Sequence, residues 1–145
     1  MSNYFTDGSA SPNPGPGGFA VIKDGQPWLV GGERMTTNIR MEGLAIMAAL
    51  DDAAGEPCTI TTDSEFWINV LTKWAAKWAA NGWTKKGGIK NLDIVQPLFE
   101  KYQKSQAKLI WTRGHVGTKL NELADEWANT ARRRHLRDTV RVDKI

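Results

Sequence analysis

The chain has 145 residues, of which 41% are apolar and 24% charged, and its formal net charge is +3. These values fit one folded domain over residues 1–145 and exclude a disordered chain. No apolar run approaches the roughly 20 residues of a membrane span, nothing at the amino-terminus suggests secretion, and the lone cysteine, Cys58, cannot form an internal disulfide. We therefore expect a cytoplasmic protein without membrane contact. The mild basic excess is compatible with a polyanionic partner.

The first third of the chain is rich in strand signals. Three strands are predicted, at residues 3–6, 17–23 and 28–35. Asp24-Gly25 is a hairpin turn signal between the last two, and such short connections make strands antiparallel. From residue 41 onward apolar residues recur at helical spacing, which predicts a helix that ends near residue 54, before Pro57.

The remainder of the chain alternates between strand and helix. The patterns predict, in order, a strand at 58–62, a helix at 65–80, a basic loop at 83–90, a helix from Asn91 or Asp93 to about 106, a strand at 108–112, a loop at 114–118 and a helix from Asn121 to about 134. The basic run after it is expected to be solvated surface or an auxiliary phosphate contact. This order predicts an α/β fold in which helices cover a mixed sheet, with sites at the carboxyl ends of strands.

Four acidic residues occupy positions where such a site would form. Asp7 and Asp63 end predicted strands, while Glu42 and Asp125 lie in the first turns of predicted helices. Each has an ordinary alternative: a turn residue at Asp7, a helix cap at Asp63-Ser64, and a favourable helix-dipole position for the other two. Together they predict one cluster of like charges, which a divalent cation would compensate. Oxygen ligands favour Mg²⁺ or Mn²⁺, and two such ions about 4 Å apart can activate water and stabilise the leaving oxygen in phosphodiester cleavage.

Several segments, in this order, resemble type 1 ribonuclease H: FTDGSASPNPGPGG, TTNIRMEGLAIMAAL, ITTDSEF and WTRGHVGTKLNELADEWAN. The stretch WAAKWAANGWTKKGGIKNLD resembles the helix and basic protrusion of bacterial members. The resemblance covers nearly the whole chain and implies a ribonuclease H-like fold with a mixed five-stranded sheet. It also implies a monomeric, Mg²⁺-dependent endonuclease that hydrolyses the RNA strand of RNA–DNA hybrids and leaves 5′-phosphate and 3′-hydroxyl ends.

The resemblance assigns a role to each acid. Asp7 would bridge two metal ions, Glu42 and Asp63 would complete one metal site, and Asp125 would help to hold the other. His115, in the glycine-flanked loop before the last helix, would assist proton transfer or product release. The ordinary histidine pKa of about 6.5 suits acid–base work, and an exposed loop histidine is the alternative.

Contacts to the hybrid near the acids are expected by family position. Gly8, Asn13 and Asn38 are candidates to read the 2′-hydroxyls that distinguish RNA from DNA. Gly8 would also let the backbone approach the sugar-phosphate chain. Thr37 and Asn38 would bind a phosphate of the DNA strand, although Asn38 could instead be a helix cap. Ile39 and Thr118 stand where bacterial relatives often carry asparagine and histidine, which would weaken or alter these contacts.

The basic protrusion combines tryptophans with lysines. Trp78 is expected to pack inside it, Trp83 to contact sugars, and Lys85 and Lys86 to bind phosphates. Alanines stand at 79 and 80, where bacterial relatives commonly carry lysine, so we expect looser or more salt-sensitive binding than a fully basic protrusion gives. Core packing is expected for the remaining tryptophans: Trp28, Trp67, Trp74, Trp111 and Trp127.

Other functions share some of these features. A non-catalytic hybrid-binding module would gain nothing from clustered negative charge beside phosphate. A junction resolvase or integrase core is disfavoured by the protrusion and the GHVG loop. A nucleotide-phosphate loop at the glycine- and proline-rich segment fails because no Gly-Lys-Ser/Thr motif occurs and the segment leads into a strand. The preferred interpretation is a hybrid-specific endoribonuclease.

Overall fold

A mixed sheet of six strands forms the centre of the computed structural model, which describes residues 1–113 and 119–145. Its strands are β1 (Ser2–Ala10), β2 (Gly15–Lys23), β3 (Gln26–Thr36), β4 (Cys58–Thr62), β5 (Ala107–Trp111) and β6 (Val140–Arg141). Their order across the sheet is β5-β4-β1-β2-β3-β6. The pairs β1–β2, β2–β3 and β3–β6 are antiparallel, whereas β4 runs parallel to both β1 and β5.

Helices connect and cover these strands. They are α1 (Asn38–Ala53), α2 (Glu65–Asn69), α3 (Ala75–Ala80), α4 (Leu92–Lys104) and α5 (Lys119–Arg133), and a π-helical turn, Val70–Trp74, joins α2 to α3. The single helix predicted over 65–80 is therefore one helical run with a π-turn in its middle. None of the helices in residues 1–113 and 119–145 is long and apolar enough to cross a membrane.

The predicted hairpin between β2 and β3 is confirmed. Asp24 and Gly25 both have positive φ, 49° and 82°, which is the conformation that a two-residue turn between twisted strands needs. The Asp24 carboxylate accepts a hydrogen bond from the backbone N–H of Asn3 at 2.8 Å, so the turn is also tied to β1.

The carboxyl-terminal segment differs from the prediction. Val140 and Arg141 form β6, which pairs with Val30 and Leu29 of β3 and adds a sixth strand to the predicted five. The Arg141 guanidinium lies 3.4 Å from the ring centroid of Trp28, so this part of the tail is packed rather than simply solvated. A two-residue strand is too short to produce a periodic pattern in the sequence.

The two faces of the sheet carry separate apolar layers. On one face, α1 and α4 bury large side chains together with β1 and β4, and Trp67 is fully buried there. On the other face, α5 packs Ala128 and Ala131 against Ala20 and Val30. Because side chains alternate along a strand, neighbouring residues of β2 pack into opposite layers: Ala20 faces α5, and Val21 lies in the layer of α1 and α4.

Core packing of the tryptophans is confirmed only in part. Trp67 is fully buried, but Trp111 is 47% exposed and Trp74 is 40% exposed. Trp111 lies on β5, the outermost strand of the sheet, where no further strand covers it in the part of the chain that the structure describes. Trp28 and Trp127 are half-buried. The prediction failed for Trp111 because an apolar residue does not reveal that its strand lies at the sheet edge.

Candidate active site

Asp7 lies inside β1 rather than at its end, which corrects the predicted position. It pairs with Ala20 of β2, and β1 continues to Ala10. On the opposite side, however, the parallel pairing with β4 stops at Phe5 and Thr61. Asp7 therefore lies just beyond the parallel ladder, at the carboxyl end of that part of the sheet, and the interpretation of Asp7 as a turn residue is wrong.

Asp63 follows the last residue of β4, as predicted. The predicted cap at Asp63-Ser64 is confirmed at Ser64, whose hydroxyl accepts a hydrogen bond from the Trp67 N–H at 3.2 Å, so Asp63 itself is not the cap. Because β1 and β4 are adjacent and parallel, Asp7 and Asp63 leave the sheet at the same edge. Both side chains line one small pocket, together with Thr6 and Asn121.

Glu42 reaches this edge from α1. The helix begins at Asn38, so Glu42 lies in its second turn and not in the predicted first turn. That position removes the helix-dipole explanation, which applies to the first turn only. A Cβ atom on Gly8 would collide with the backbone nitrogen of Glu42, so Gly8 permits α1 to lie directly against β1. The glycine that was expected to admit the substrate thus also brings Glu42 beside Asp7.

Asp125 comes from α5, on the other face of the sheet. Within the described residues this helix begins at Lys119, so Asp125 is in the second turn, and Asn121 lies inside the helix instead of capping it as predicted. Close packing again depends on a glycine, because a Cβ on Gly18 would collide with the Ala128 carbonyl oxygen and the Arg132 nitrogen of α5. The Asn129 side-chain amide donates to the Asp125 carboxylate at 3.4 Å.

The four acids interact electrostatically. Asp7 is only 7% exposed, and burial is the main cause that raises its pKa from 3.8 to about 8. The negative charges of Asp63, Asp125 and Glu42 raise it further, while the Gly8 backbone N–H acts in the opposite direction. Burial likewise raises the pKa of Glu42 to about 7; the Ser64 hydroxyl opposes this shift and the Asp63 charge adds to it. Asp7 and Asp63 line one pocket, and the charges of Glu42 and Asp125 act on Asp7 from α1 and α5; that all four acids form one metal site stays a prediction.

The acids are not arranged as a complete set of metal ligands. In residues 1–113 and 119–145, no group of three or more His, Cys, Asp or Glu side chains has the arrangement of a metal site. The donor chemistry nevertheless fits a hard divalent cation: the groups that act on one another are carboxylates, and a cation would offset both the burial of the Asp7 charge and the repulsion from the other acids, which together raise the pKa of Asp7.

Other predicted residues surround the proline-rich loop and the start of α1. Thr37 is the cap of α1 and accepts from the Arg40 N–H at 3.2 Å, so Asn38 does not cap the helix. The Asn38 side chain instead accepts from the Ala10 N–H at 2.6 Å, and the Asn13 side chain accepts from the Asn38 N–H at 3.2 Å. These bonds join the loop to the end of β1 and to the start of α1.

The basic protrusion forms a cavity of about 520 Å³. It is lined by aromatic rings and lysines, among them Phe66, Trp74, Trp78, Lys77, Lys86 and Lys90. The Lys85 ammonium lies 5.5 Å from the Trp78 ring centroid, close enough for a cation–π contact. Trp83 packs edge-on against Phe99 at 5.9 Å and so anchors the protrusion to α4. Its predicted sugar contact stays a prediction.

Two predicted residues lie where the structure gives no description, and two residues of the pocket were not predicted. His115 and Thr118 lie outside the described residues, so their predicted roles stay predictions. Sequence reasoning missed Thr6 and Asn121, which line the pocket of Asp7 and Asp63. Their only signal was proximity in sequence to two of the acids, and Asn121 was instead interpreted as a helix cap.

Comparisons with known sequences agree with this architecture. The family model described as RNase H matches residues 2–133. Ribonuclease HI of Vibrio parahaemolyticus is 42% identical over 134 residues, which are 88% of this chain and 86% of that protein. Ribonuclease H of Bordetella pertussis is 42% identical over 132 residues, which are 86% of this chain and 84% of that protein.

Solved structures extend the agreement to the fold. LC9-RNase H1, described as a type 1 RNase H with the type 2 active-site motif, aligns with a TM-score of 0.82 and 26% identity over 97% of this chain and 76% of that chain. The foamy viral protease-reverse transcriptase in complex with RNA/DNA hybrid aligns with a TM-score of 0.77 over 90% of this chain and 20% of that chain; at 18% identity it supports the fold alone. On the family match and the two bacterial relatives together, this chain belongs to the RNase H family.

Proposed function

We propose that this protein hydrolyses the RNA strand of RNA–DNA hybrids with the help of divalent metal ions held by Asp7, Glu42, Asp63 and Asp125. The observation that carries the proposal is that Asp7 and Asp63 line one pocket at the same edge of the sheet. Burial, and then the negative charges of the three other acids, raises the pKa of Asp7 there to about 8. A fold gains no stability from placing four like charges at one edge of a sheet. Such clusters are typical of functional sites, where the cost is offset when a ligand binds.

Each acid has a defined part in the proposal. Asp7, the most buried of them, would be shared between two ions, with Glu42 and Asp63 completing one site and Asp125 serving the other. Mg²⁺ is the expected metal and Mn²⁺ a substitute, because both prefer oxygen ligands. When bound, the ions would supply an activated water and stabilise the leaving oxygen, giving 5′-phosphate and 3′-hydroxyl ends.

The residues of the chain itself prepare the site for this chemistry. Gly8 and Gly18 allow α1 and α5 to approach the sheet, so that Glu42 and Asp125 are presented by rigid helices from its two faces. The Ser64 hydroxyl bonds to the Glu42 carboxylate and favours its charged form. His115 is proposed to assist proton transfer or product release.

The hybrid would be held by two surfaces that flank the acids. Thr37, Asn38 and Asn13, joined by the hydrogen bonds described above, would contact the hybrid near the scissile bond. The basic protrusion, with Lys85 and Lys86 beside Trp78, would bind phosphates farther away. Neighbouring aromatic faces suit contact with sugars.

A single copy of the chain supplies all four acids, so no second subunit is needed to complete the site. We therefore expect a monomer. The unpaired, buried Cys58 is compatible with action in the reducing cytoplasm.

A cleavage assay tests the proposal directly. Labelled RNA–DNA hybrid, double-stranded RNA and double-stranded DNA are incubated with the protein in Mg²⁺ or in EDTA. We expect cleavage of the RNA strand of the hybrid alone, and none in EDTA. The second candidate, a non-catalytic hybrid-binding module, would bind the hybrid in both conditions and leave the RNA intact.

A further inference from the structure

Arg40, in the first turn of α1, uses its whole guanidinium group within the protein. Its Nε donates to Glu33 at 3.1 Å and its Nη2 donates to Glu33 at 3.2 Å. The outer nitrogens also donate to the two Asp93 oxygens, Nη1 at 3.0 Å and Nη2 at 2.9 Å, and Nη1 donates to the Asn91 side-chain oxygen at 3.3 Å. A guanidinium has five N–H donors, and these contacts number five.

These contacts join three separate parts of the chain. Glu33 lies on β3, Arg40 on α1, and Asn91 and Asp93 at the beginning of α4. Both carboxylates are bound through two nitrogens each, which fixes direction as well as distance. The hydrogen bonds that Arg40 donates to Asp93, and then those to Glu33, are the main cause that raises the pKa of Arg40 above its ordinary value. The Thr36 hydroxyl donates to Glu33 at 2.7 Å and extends the network to the residue before Thr37.

Asn91 shows that this network overrides local preferences. It occupies the capping position of α4, where asparagine ordinarily bonds to the helix with its side chain. Here the side chain makes no capping bond and accepts from Arg40 instead, and the backbone has a φ of 59°. Asparagine is one of the few non-glycine residues that adopt this left-handed conformation readily. The contact with Arg40 fixes the Asn91 side chain at the end of the basic protrusion, in place of a capping bond.

The network lies between the two surfaces proposed to hold the hybrid. A groove of about 510 Å³ connects them: it is lined by Asn13, Pro14, Thr37 and Ile39 on one side and by Lys90 and Asn91 on the other. Arg40 lies beside this groove with its side chain 21% exposed. Because its donors are engaged, Arg40 has no N–H group left to contact a phosphate directly.

We propose that Arg40 is a positioning residue that sets the separation between the Thr37–Asn38 surface and the basic protrusion, and thereby the fit of the hybrid across both. This inference rests on the proposed function. The hybrid is a rigid duplex, so two surfaces gain from binding together only when their spacing matches it. Loss of the network would weaken hybrid binding without removing any group that touches hybrid or metal.

The substitution Asp93→Asn tests this inference with a matched control, Asp51→Asn. Asp93 pairs with Arg40 of α1 at 2.9 Å, while Asp51 of α1 pairs with Lys101 of α4 at 2.6 Å. Both ion pairs join the same two helices, and both carboxylates are exposed, Asp93 at 65% and Asp51 at 55%. Asp51→Asn thus removes an ion pair that also joins α1 to α4 but whose residues do not line the groove.

Electrostatics alone predicts the opposite result. Removing a negative charge near a polyanion should tighten binding. The positioning role predicts instead that Asp93→Asn raises KM for cleavage, and the dissociation constant of a fluorescent hybrid in EDTA, by at least about threefold. A displaced protrusion makes fewer phosphate contacts, so the salt slope of binding should become shallower for Asp93→Asn and stay unchanged for Asp51→Asn. We expect kcat within about twofold of the parent value and no change in KM for Asp51→Asn.

Arg40→Gln extends the test, with Ile94→Val as a second control that shortens a buried side chain of α4 beside Asp93 without touching the ion pairs. We expect a larger rise in KM for Arg40→Gln than for Asp93→Asn, and none for Ile94→Val. Unchanged or tighter hybrid binding by Asp93→Asn, or a loss of kcat at constant KM, would overturn the positioning role. If the parent protein did not cut the hybrid at all, the proposed function would fail instead, so the two failures are distinguishable.

Discussion

Asp7→Asn should make the metal-free protein more stable, and the gain should grow with pH. The folded protein holds the proton of Asp7 up to a pKa of about 8, whereas in the unfolded chain the proton leaves near the ordinary value of 3.8. A group with a raised folded pKa makes the folded state bind more protons than the unfolded state, so the free energy of unfolding falls as pH rises through that window. One such group costs up to about 1.4 kcal/mol for each pH unit.

The accumulated cost at pH 7 is on the order of 4 kcal/mol as an upper bound, because coupling to Glu42 and Asp63 shares the proton among neighbours. Asparagine carries no proton to lose and keeps the shape of the side chain. We therefore expect Asp7→Asn to exceed the parent in free energy of unfolding by about 2 kcal/mol or more at pH 7, and by less at pH 5.

Urea denaturation in EDTA at several pH values between 5 and 8 measures this difference. Gln106→Ala is a suitable control, because it removes an uncharged side chain that bonds to the Gly55 carbonyl and should shift stability by the same amount at every pH. A difference between Asp7→Asn and the parent that stays constant from pH 5 to pH 8, or a variant less stable than the parent at pH 8, would refute the electrostatic reasoning.

The remaining predictions concern activity and packing. Cleavage at limiting Mg²⁺ should increase from pH 6 to pH 8, because protons on Glu42 and Asp7, with pKa values of about 7 and 8, compete with metal; a pH–rate profile that is flat at limiting metal would contradict this. Gly8→Ala should lower the free energy of unfolding by about 2 kcal/mol and reduce kcat, since its methyl group would push α1 away from β1; thermal unfolding and steady-state kinetics, with Ser9→Ala as control, measure both effects. The double variant Lys85→Ala, Lys86→Ala should weaken hybrid binding and reduce its salt slope by about one to two; a salt titration identical to the parent would exclude a phosphate role for this pair.

Much of the fold could be predicted because its signals are periodic. The hairpin at Asp24-Gly25, the strand 58–62 and the helical run 65–80 each depend on local composition, and each is observed where it was predicted. β6 could not be predicted, because two residues show no periodicity and are stabilised by pairing with β3 and by the contact of Arg141 with Trp28. The exposure of Trp111 depends on strand order, which local composition does not contain.

The sequence predicted part of the site geometry. The acids were selected from their positions after strands and near helix starts, and the structure brings Asp7 and Asp63 into one pocket, while the charges of Glu42 and Asp125 act on Asp7. The position of Asp7 inside β1 was missed because β1 pairs with β2 as far as Ala10, whereas its pairing with β4 ends at Phe5. Local sequence does not show that the two sides of a strand stop pairing at different residues. The Arg40 network was missed for a similar reason: Asp93 is 53 residues away in sequence, and nothing local marks the two as partners.

Anomalous diffraction from crystals of the protein grown with an RNA–DNA hybrid and soaked in Mn²⁺ tests the central claim most directly. The account predicts metal peaks coordinated by Asp7, Glu42, Asp63 and Asp125 beside a phosphate of the RNA strand, and their loss in Asp7→Asn crystals. Strong metal peaks elsewhere, with none between these four carboxylates while the hybrid is bound, would contradict it.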